Sequence, residues 1–381
     1  MNRPEEARGS SPLVWLICAV VFAETTLLTL VTPLIPRYAA DFGMSHAEAG
    51  VFVALYAAGS IAGSVPAGML VARLGARTTV LLSLALVAAG SLGMAYGRHL
   101  ALLDATRFLQ GIAGTLAWSG SFSWLAEVAP AGHRARMLSR GLAAASLGGV
   151  LGPVVGGVAE LTSLSLVFTV LAGLFGILAI GIGLRPASGR GAPTRLRELL
   201  SAVGRPDIAV PGWLVAAAGA AFGTIAVTGP LKLADLGASG PAVSATFLCA
   251  AFGEVLVTRL AGTASDRYGH LRPIRAGLVL AAVFAVLLAV PAPVFPAALG
   301  IVALVAALSL FLAPGFALVS AGARRIGLQQ GLAFGLTNIS WAAGNLLGAL
   351  AGGALAGVGA AVPGTAVAAL LLLSLGFVRR R

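Results

Sequence analysis

Apolar residues fill this chain in long blocks, and polar residues interrupt them at regular intervals. Twelve blocks stand out: 13–35, 50–71, 80–96, 102–128, 142–158 and 165–184, then 208–230, 242–261, 276–290, 297–319, 331–355 and 361–377. A bilayer core takes about 20 apolar residues per helix, and most blocks have that length. Lipid offers no hydrogen-bond partner to open backbone groups, so each block is expected to be a helix. The connections are short, which leaves no room for a soluble domain between spans. The expected fold is an all-α membrane protein of twelve transmembrane helices.

Composition supports this pattern. Hydrophobic residues make up 58% of the chain and charged residues 10%; the mean hydropathy is +0.97. The net charge of +12 would suggest a nucleic-acid partner if the basic residues were clustered. They are scattered over short loops instead. With the N-terminus placed in the cytoplasm, only Arg37, Arg98 and Lys232 fall outside, while Arg107 and Arg259 stay within spans. That asymmetry follows the positive-inside rule. It implies a multi-pass protein of the cytoplasmic (inner) membrane with both termini inside. The first block is too long for a signal peptide, carries Glu24 and runs into a second span without a small-residue cleavage site. Cys18 and Cys249 lie at membrane depth in different halves and are read as small apolar fillers.

The longest connection, 185–207, holds three prolines and five arginines. It divides the chain into 1–184 and 208–381, six spans each. Similar segments recur in the two parts. Gly68, Arg73, Gly75 and Arg77 follow the second block; Gly262, Asp266, Arg267, Gly269 and Arg272 follow the eighth. Arg140-Gly141-Leu142-Ala143 opens the fifth block and Gln330-Gly331-Leu332-Ala333 the eleventh, 190 positions later. Two homologous bundles of six helices are expected, and carriers built this way hold substrate near the midplane between repeats.

The fifth block contains Gly148, Gly152, Pro153, Gly156 and Gly157. Glycines four apart share a helix face and let another backbone approach; the proline removes a hydrogen bond and bends the helix. The spacing G-x-x-x-G-P-x-x-G-G resembles the antiporter motif of the twelve-span drug:proton antiporters of the major facilitator superfamily. A kinked, tightly packed helix of any polytopic protein is the plainer alternative. The loops after blocks two and eight resemble the same superfamily's G-x-x-x-D-R-x-G-R signature. There the resemblance implies a cytoplasmic latch, intact at Asp266 and Arg267 but altered where Ala72 replaces the aspartate. An ordinary solvated basic loop is the alternative.

Charged side chains inside spans are costly and mark candidate function. Glu24 lies near the middle of the first span, in a stretch resembling the first span of vesicular monoamine transporters and bacterial multidrug antiporters. It is a candidate for proton exchange and for meeting a cationic substrate; a structural hydrogen bond is the rival. Arg107, Gln110, Gly111 and Gly114 resemble the family's R-x-x-q-G-x-g pattern. By helical spacing Trp118 shares their face. Arg107 would bias an embedded acid, or else snorkel to the interface. Glu254 is a second candidate for protonation, with Arg259 five residues on at an unfavourable helical spacing. Phe334, Asn338, Trp341 and Asn345 form one stripe of the eleventh block, suited to an amphiphilic ligand or to interhelical packing. No metal site, no cofactor and no enzyme signature is expected. The only lysine, Lys232, lies outside any nucleotide-binding loop.

The resemblance therefore implies a monomeric carrier in a lipid bilayer, with protons as coupling ion and no nucleic-acid partner. It would export small hydrophobic or cationic compounds by alternating access. Two alternatives stay open: export or symport of a sugar, amino acid or other metabolite, and a receptor or scaffold that keeps the fold without transporting.

Overall fold

A computed structural model describes residues 12–130, 132–187, 189, 204–328 and 330–379. The termini and most of the 185–207 connection, including Arg190, Arg195 and Arg197, lie outside the described residues. The described part is helical. The first half runs α1 (Pro12–Leu30), a 3-10 turn (Thr32–Leu34), α2 (Ile35–Phe42), α3 (His46–Leu74), α4 (Ala76–Tyr96), α5 (Leu100–Val128), α6 (Arg134–Leu161) and α7 (Leu164–Gly183). The second half runs α8 (Pro206–Asp235), α9 (Gly240–Tyr268), α10 (Leu271–Ala289), α11 (Val294–Arg325), α12 (Gln330–Val358) and α13 (Val362–Arg379). With α1 and α2 as one crossing, these are twelve spans.

Ten of the twelve are long and apolar enough to cross a membrane. Val362–Val378 is apolar but shorter than these. α5 has the length but is diluted by Asp104, Arg107, Gln110 and a run of small polar residues. Several helices outrun the apolar blocks. α6 begins at Arg134, eight residues before the block, and α3 spans His46–Leu74 rather than 50–71. Backbone hydrogen bonding carries each helix past the hydrophobic boundary, where apolar content is no guide. The first span departs in the other direction. Pro33 and Pro36 each lack an N–H, and a proline ring clashes with the carbonyl four residues back. The α-helix therefore stops at Leu30, tightens into the turn at Thr32–Leu34 and restarts at Ile35. Pro153, by contrast, is buried within an unbroken α6.

Contacts group residues 1–31 with 59–194 as one unit, and 32–58 with 195–381 as the other. The two units repeat one plan. In the first, α1 packs on α6, and α4 on α5 and α7; in the second, α8 packs on α12, and α10 on α11 and α13. Each of these pairings in the first half has its counterpart six spans later, so the pseudo-symmetry expected from the repeated segments is present.

Small residues make these seams. A Cβ at Gly148 or Gly152 of α6 would strike the α1 backbone at Phe22, Thr26 and Leu30. Gly59 and Gly63 of α3 lie as tightly on Phe108 and Ile112 of α5. In the second unit Gly344 and Gly348 of α12 lie on Ala216 and Ala220 of α8, and Gly219 and Gly223 return the contact at Trp341 and Asn345. Lipid tails are as apolar as leucine, so close van der Waals packing has to supply the association that water would otherwise drive. Hydrogen bonds add to it. Ser60 Oγ donates to the Gly111 carbonyl at 3.3 Å, Thr115 Oγ1 to the Ser60 carbonyl at 3.1 Å, and Thr224 Oγ1 to the Gly348 carbonyl at 2.9 Å.

Candidate functional site

α1 positions the principal acid. Thr25, Thr26 and Thr29 donate their hydroxyls to the carbonyls of Val21, Phe22 and Thr25, at 2.9, 2.8 and 3.0 Å. Those polar groups are satisfied within the helix, which gives α6 a smooth face on which to lay Gly148 and Gly152. Glu24, 3% exposed, is the one acid of the helix. Its Oε2 accepts the indole N–H of Trp118 at 2.8 Å. The Trp118 ring in turn stacks on Phe122, with centroids 5.1 Å apart and planes 22° apart. A carboxyl group in this setting is held by a directed donor and an aromatic wall. That arrangement can keep one orientation while the group carries a proton or releases it.

α5 supplies a second polar station. Arg107 is buried at 3% exposure, so it does not snorkel outward. Its Nη1 donates to Gln110 Oε1 at 2.9 Å. Gln110 is itself buried and sits against Gly90 of α4, where a Cβ would come within 2.9 Å of the Gln110 Cγ. Arg107 and Trp118 are eleven residues apart, about 16 Å along the axis at 1.5 Å per residue. α5 thus presents two levels, Arg107 with Gln110 and Trp118 with Glu24.

The second unit carries the aromatic and amide stripe. Trp341 packs at 5.1 Å and 59° on Phe222 of α8. The Trp341 and Asn345 backbone forms the seam with Gly219 and Gly223. Asn338, one turn before Trp341, is partly buried, and Phe334 is half exposed. The stripe is therefore split: one end is a packing seam and the other presents an aromatic ring and an amide. Glu254 continues the line of buried Val243, Phe247, Ala250 and Ala261 on α9, and is partly buried. Arg259 is exposed, and it does not pair with Glu254 within 4.0 Å.

The repeated loops match in backbone conformation. Gly75 has φ 84° and ψ 163°, and Gly269 has φ 79° and ψ 157°. That region is open essentially to glycine alone. Beyond each glycine an arginine reaches the end of the last helix of its own half. Arg77 donates to the Gly183 carbonyl at the end of α7, and Arg275 to the Val378 carbonyl of α13 at 3.3 Å. A cation suits the negative end of a helix. Arg73, Asp266 and Arg267 are exposed. The guanidinium groups of Arg267 and Arg272 lie 5.2 and 5.9 Å from the centre of the Tyr268 ring. Gly68 and Gly262 lie inside α3 and α9, and Gly156 and Gly157 inside α6. At the end of α5, Glu127 Oε1 accepts the Gly189 N–H at 2.6 Å. Among the described residues, no three His, Cys, Asp or Glu side chains converge to hold a metal ion.

Arg275 was not singled out from the sequence, although its place just past the second signature loop mirrors Arg77. Ser60, Thr115 and Thr224 carried no local signal, because their partners lie on other helices. The approach of His46 Nε2 to Asp235 Oδ2, 3.9 Å apart, joins residues 189 positions apart in the chain and was equally unreadable.

Comparison with known proteins places this geometry in context. The family described as Major Facilitator Superfamily matches residues 17–232. The quinolone resistance protein NorA of Staphylococcus aureus (strain MRSA252) is 29% identical over 150 residues, 39% of this chain and 38% of NorA. The MFS-type transporter ppzB of Metarhizium majus (strain ARSEF 297) is 30% identical over 172 residues, 43% of this chain and 37% of ppzB. The chain thus spans under two-fifths of the length of these curated relatives. Among solved structures, a bacterial homologue of the human lysosomal transporter Spinster aligns over almost the whole chain. Its inward-facing, unoccupied form has a TM-score of 0.78 at 15% identity, covering 99% of this chain and 97% of that one. Its inward-facing, occupied form has a TM-score of 0.79 at 16% identity, covering 100% and 97%. At such identities the likeness is one of fold.

Proposed function

The chain belongs to the Major Facilitator Superfamily, and from that premise we propose that it couples movement of a small solute to protonation of Glu24. Membership and fold make it a multi-pass transporter in a lipid bilayer, acting by secondary active transport on a small molecule, rather than an enzyme. The observation that carries the finer reading is the buried Glu24 carboxylate held by the Trp118 indole at 2.8 Å. An acid at membrane depth is costly when ionised, so its proton state and the conformation around it are coupled. The membrane potential adds about 2.3 kcal/mol per charge per 100 mV to such a cycle.

Two cargo classes fit. The broader is a metabolite such as a sugar or amino acid, exported or taken up by symport. It is favoured because the Trp118 indole already engages the Glu24 carboxylate, so the acid need not meet a cationic cargo. The narrower is export of hydrophobic or cationic compounds, as drugs or natural products. The Gly148–Gly157 spacing, the Phe334 and Asn338 end of the α12 stripe, and the partial similarity to NorA support it. In both, Gln110 and Trp118 are the proposed cargo residues of the first unit, and Phe334, Asn338, Trp341 and Asn345 those of the second, each set taken within its own unit. Arg107 and Glu254 would serve the proton path. The proposed setting is the cytoplasmic membrane, with both termini inside and the carrier monomeric. In this scheme 1–184 and 208–381 act as the two transport bundles, joined by 185–207. The glycine loops at Gly75 and Gly269, with Asp266, tune which conformation is favoured.

The test is ligand-induced proton release from purified protein, measured across a panel of quinolones, lipophilic cations, sugars and amino acids. A responding class identifies the cargo, and Glu24→Gln is expected to abolish the release. Release that persists in Glu24→Gln overturns the assignment of Glu24.

A further inference from the structure

The second unit holds a cavity of about 630 Å³ at the end of the bundle where α8 finishes. That volume lies within the range of small-molecule sites. One stripe of α8 forms a wall: Ala221, Thr224, Thr228 and Lys232 follow one another at helical spacing. From Ala221 to Lys232 the wall is about 16 Å long at 1.5 Å per residue. The walls from α10 and α11 are apolar, with Ala289 and Ile301 among them, and His46 and Asp235 also line the cavity. A second cavity of about 330 Å³ adjoins it, and Lys232, Leu288 and Ala292 line both. Every other residue around the smaller cavity is apolar.

Lys232, the only lysine of the chain, therefore stands where two greasy hollows meet. Its ammonium donates to the Leu288 carbonyl. Among the described residues no carboxylate lies within 4.0 Å of it; Asp235, one turn on, also lines the larger cavity, with His46 Nε2 3.9 Å from its Oδ2. Among the described residues it makes no ion pair, although it faces an apolar lining. A long, mostly apolar hollow whose lysine makes no ion pair with the neighbouring Asp235 is complementary to a single-chain amphiphile with an anionic head.

We propose that this cavity binds a fatty-acid-like amphiphile, its carboxylate on Lys232 and its chain along the α8 stripe. This goes beyond the transport reading, since none of the residues assigned to cargo or protons lines the cavity. The occupant would act as a ligand of the second unit, and its chain would brace α8 against α10 and α11.

The experiment uses three photoreactive twelve-carbon probes that differ only in the head: carboxylate, alcohol and trimethylammonium. Each is applied to the full-length protein in phosphatidylcholine nanodiscs, and labelled peptides are mapped by mass spectrometry. The carboxylate probe is expected to label 221–236 and 285–304 saturably. Unlabelled laurate should compete, whereas acetate and dodecyltrimethylammonium should not. Lys232→Gln should weaken half-saturation about tenfold, Lys232→Arg should retain binding, and Ala289→Phe should abolish labelling by filling the hollow. Equal labelling by all three heads, or unchanged labelling in Lys232→Gln, would overturn the proposal. Labelling requires no transport, so the outcome is independent of Glu24.

Discussion

Adding one methyl group at Gly148 should separate packing from helix propensity within a single motif. The Cβ of Gly148→Ala would collide with the Phe22 carbonyl oxygen and come within 3.1 Å of the Thr26 nitrogen. Both are backbone atoms of α1, so no rotamer change relieves the clash, and the helices must part by a few tenths of an ångström or more. Overpacking of this kind costs about 1–3 kcal/mol. The next residue is the control: a Cβ at Gly149 meets only Thr25 Cγ2, at 3.9 Å. Both substitutions gain about 1 kcal/mol of helix propensity, so the difference between them isolates the steric term. At roughly 2–4 °C per kcal/mol for a unit of 150–250 residues, Gly148→Ala should melt about 2–12 °C below Gly149→Ala. Intrinsic tryptophan fluorescence on purified protein reads both transitions, and Trp118 reports directly on the site. α1 moves as a unit, so the 2.8 Å bond between Glu24 and Trp118 should be disturbed only in Gly148→Ala, with ligand-induced proton release falling in parallel. If the two variants melt together, the α1–α6 seam is not what holds Glu24 in place.

Trp118→Phe keeps a ring to stack on Phe122 but removes the N–H; proton-driven flux in proteoliposomes should fall by roughly ten- to a hundredfold, from loss of a hydrogen bond worth about 1.5–3 kcal/mol when the acceptor is charged. Gly75→Ala and Gly269→Ala each force a side chain into a positive-φ conformation at about 1–3 kcal/mol, so both should lower the melting temperature. Gly173→Ala, with nothing within 4 Å of its Cβ, should be neutral or stabilising in the same assay. Arg275→Ala removes the cation at the end of α13 and should speed amide exchange in the last turn of that helix, measured by hydrogen exchange; Arg77→Ala should do the same at Gly183, and lysine should partly restore either.

Much of the architecture follows from the order of residues alone. The helical nature of the spans is imposed by lipid, which accepts no unpaired backbone group, whatever the helices touch; their number and the repeat are read from the apolar blocks and the recurring segments. The matching glycines at 75 and 269 were equally legible, since few other residues tolerate that backbone. Glu24 stood out because an acid in an apolar block is expensive. What no linear reading supplied is who meets whom. That the Glu24 carboxylate takes the Trp118 indole, that Gly148 seats on Phe22, that Arg107 turns inward to Gln110, and that Lys232 stands between two hollows are consequences of helices crossing at particular heights. Hydrophobic periodicity fixes which face of a helix is buried, but it is nearly silent when apolar residues surround the helix on every side. Rotation and register are then decided by where small residues on one helix meet backbone on another, and only the folded chain brings those two surfaces together.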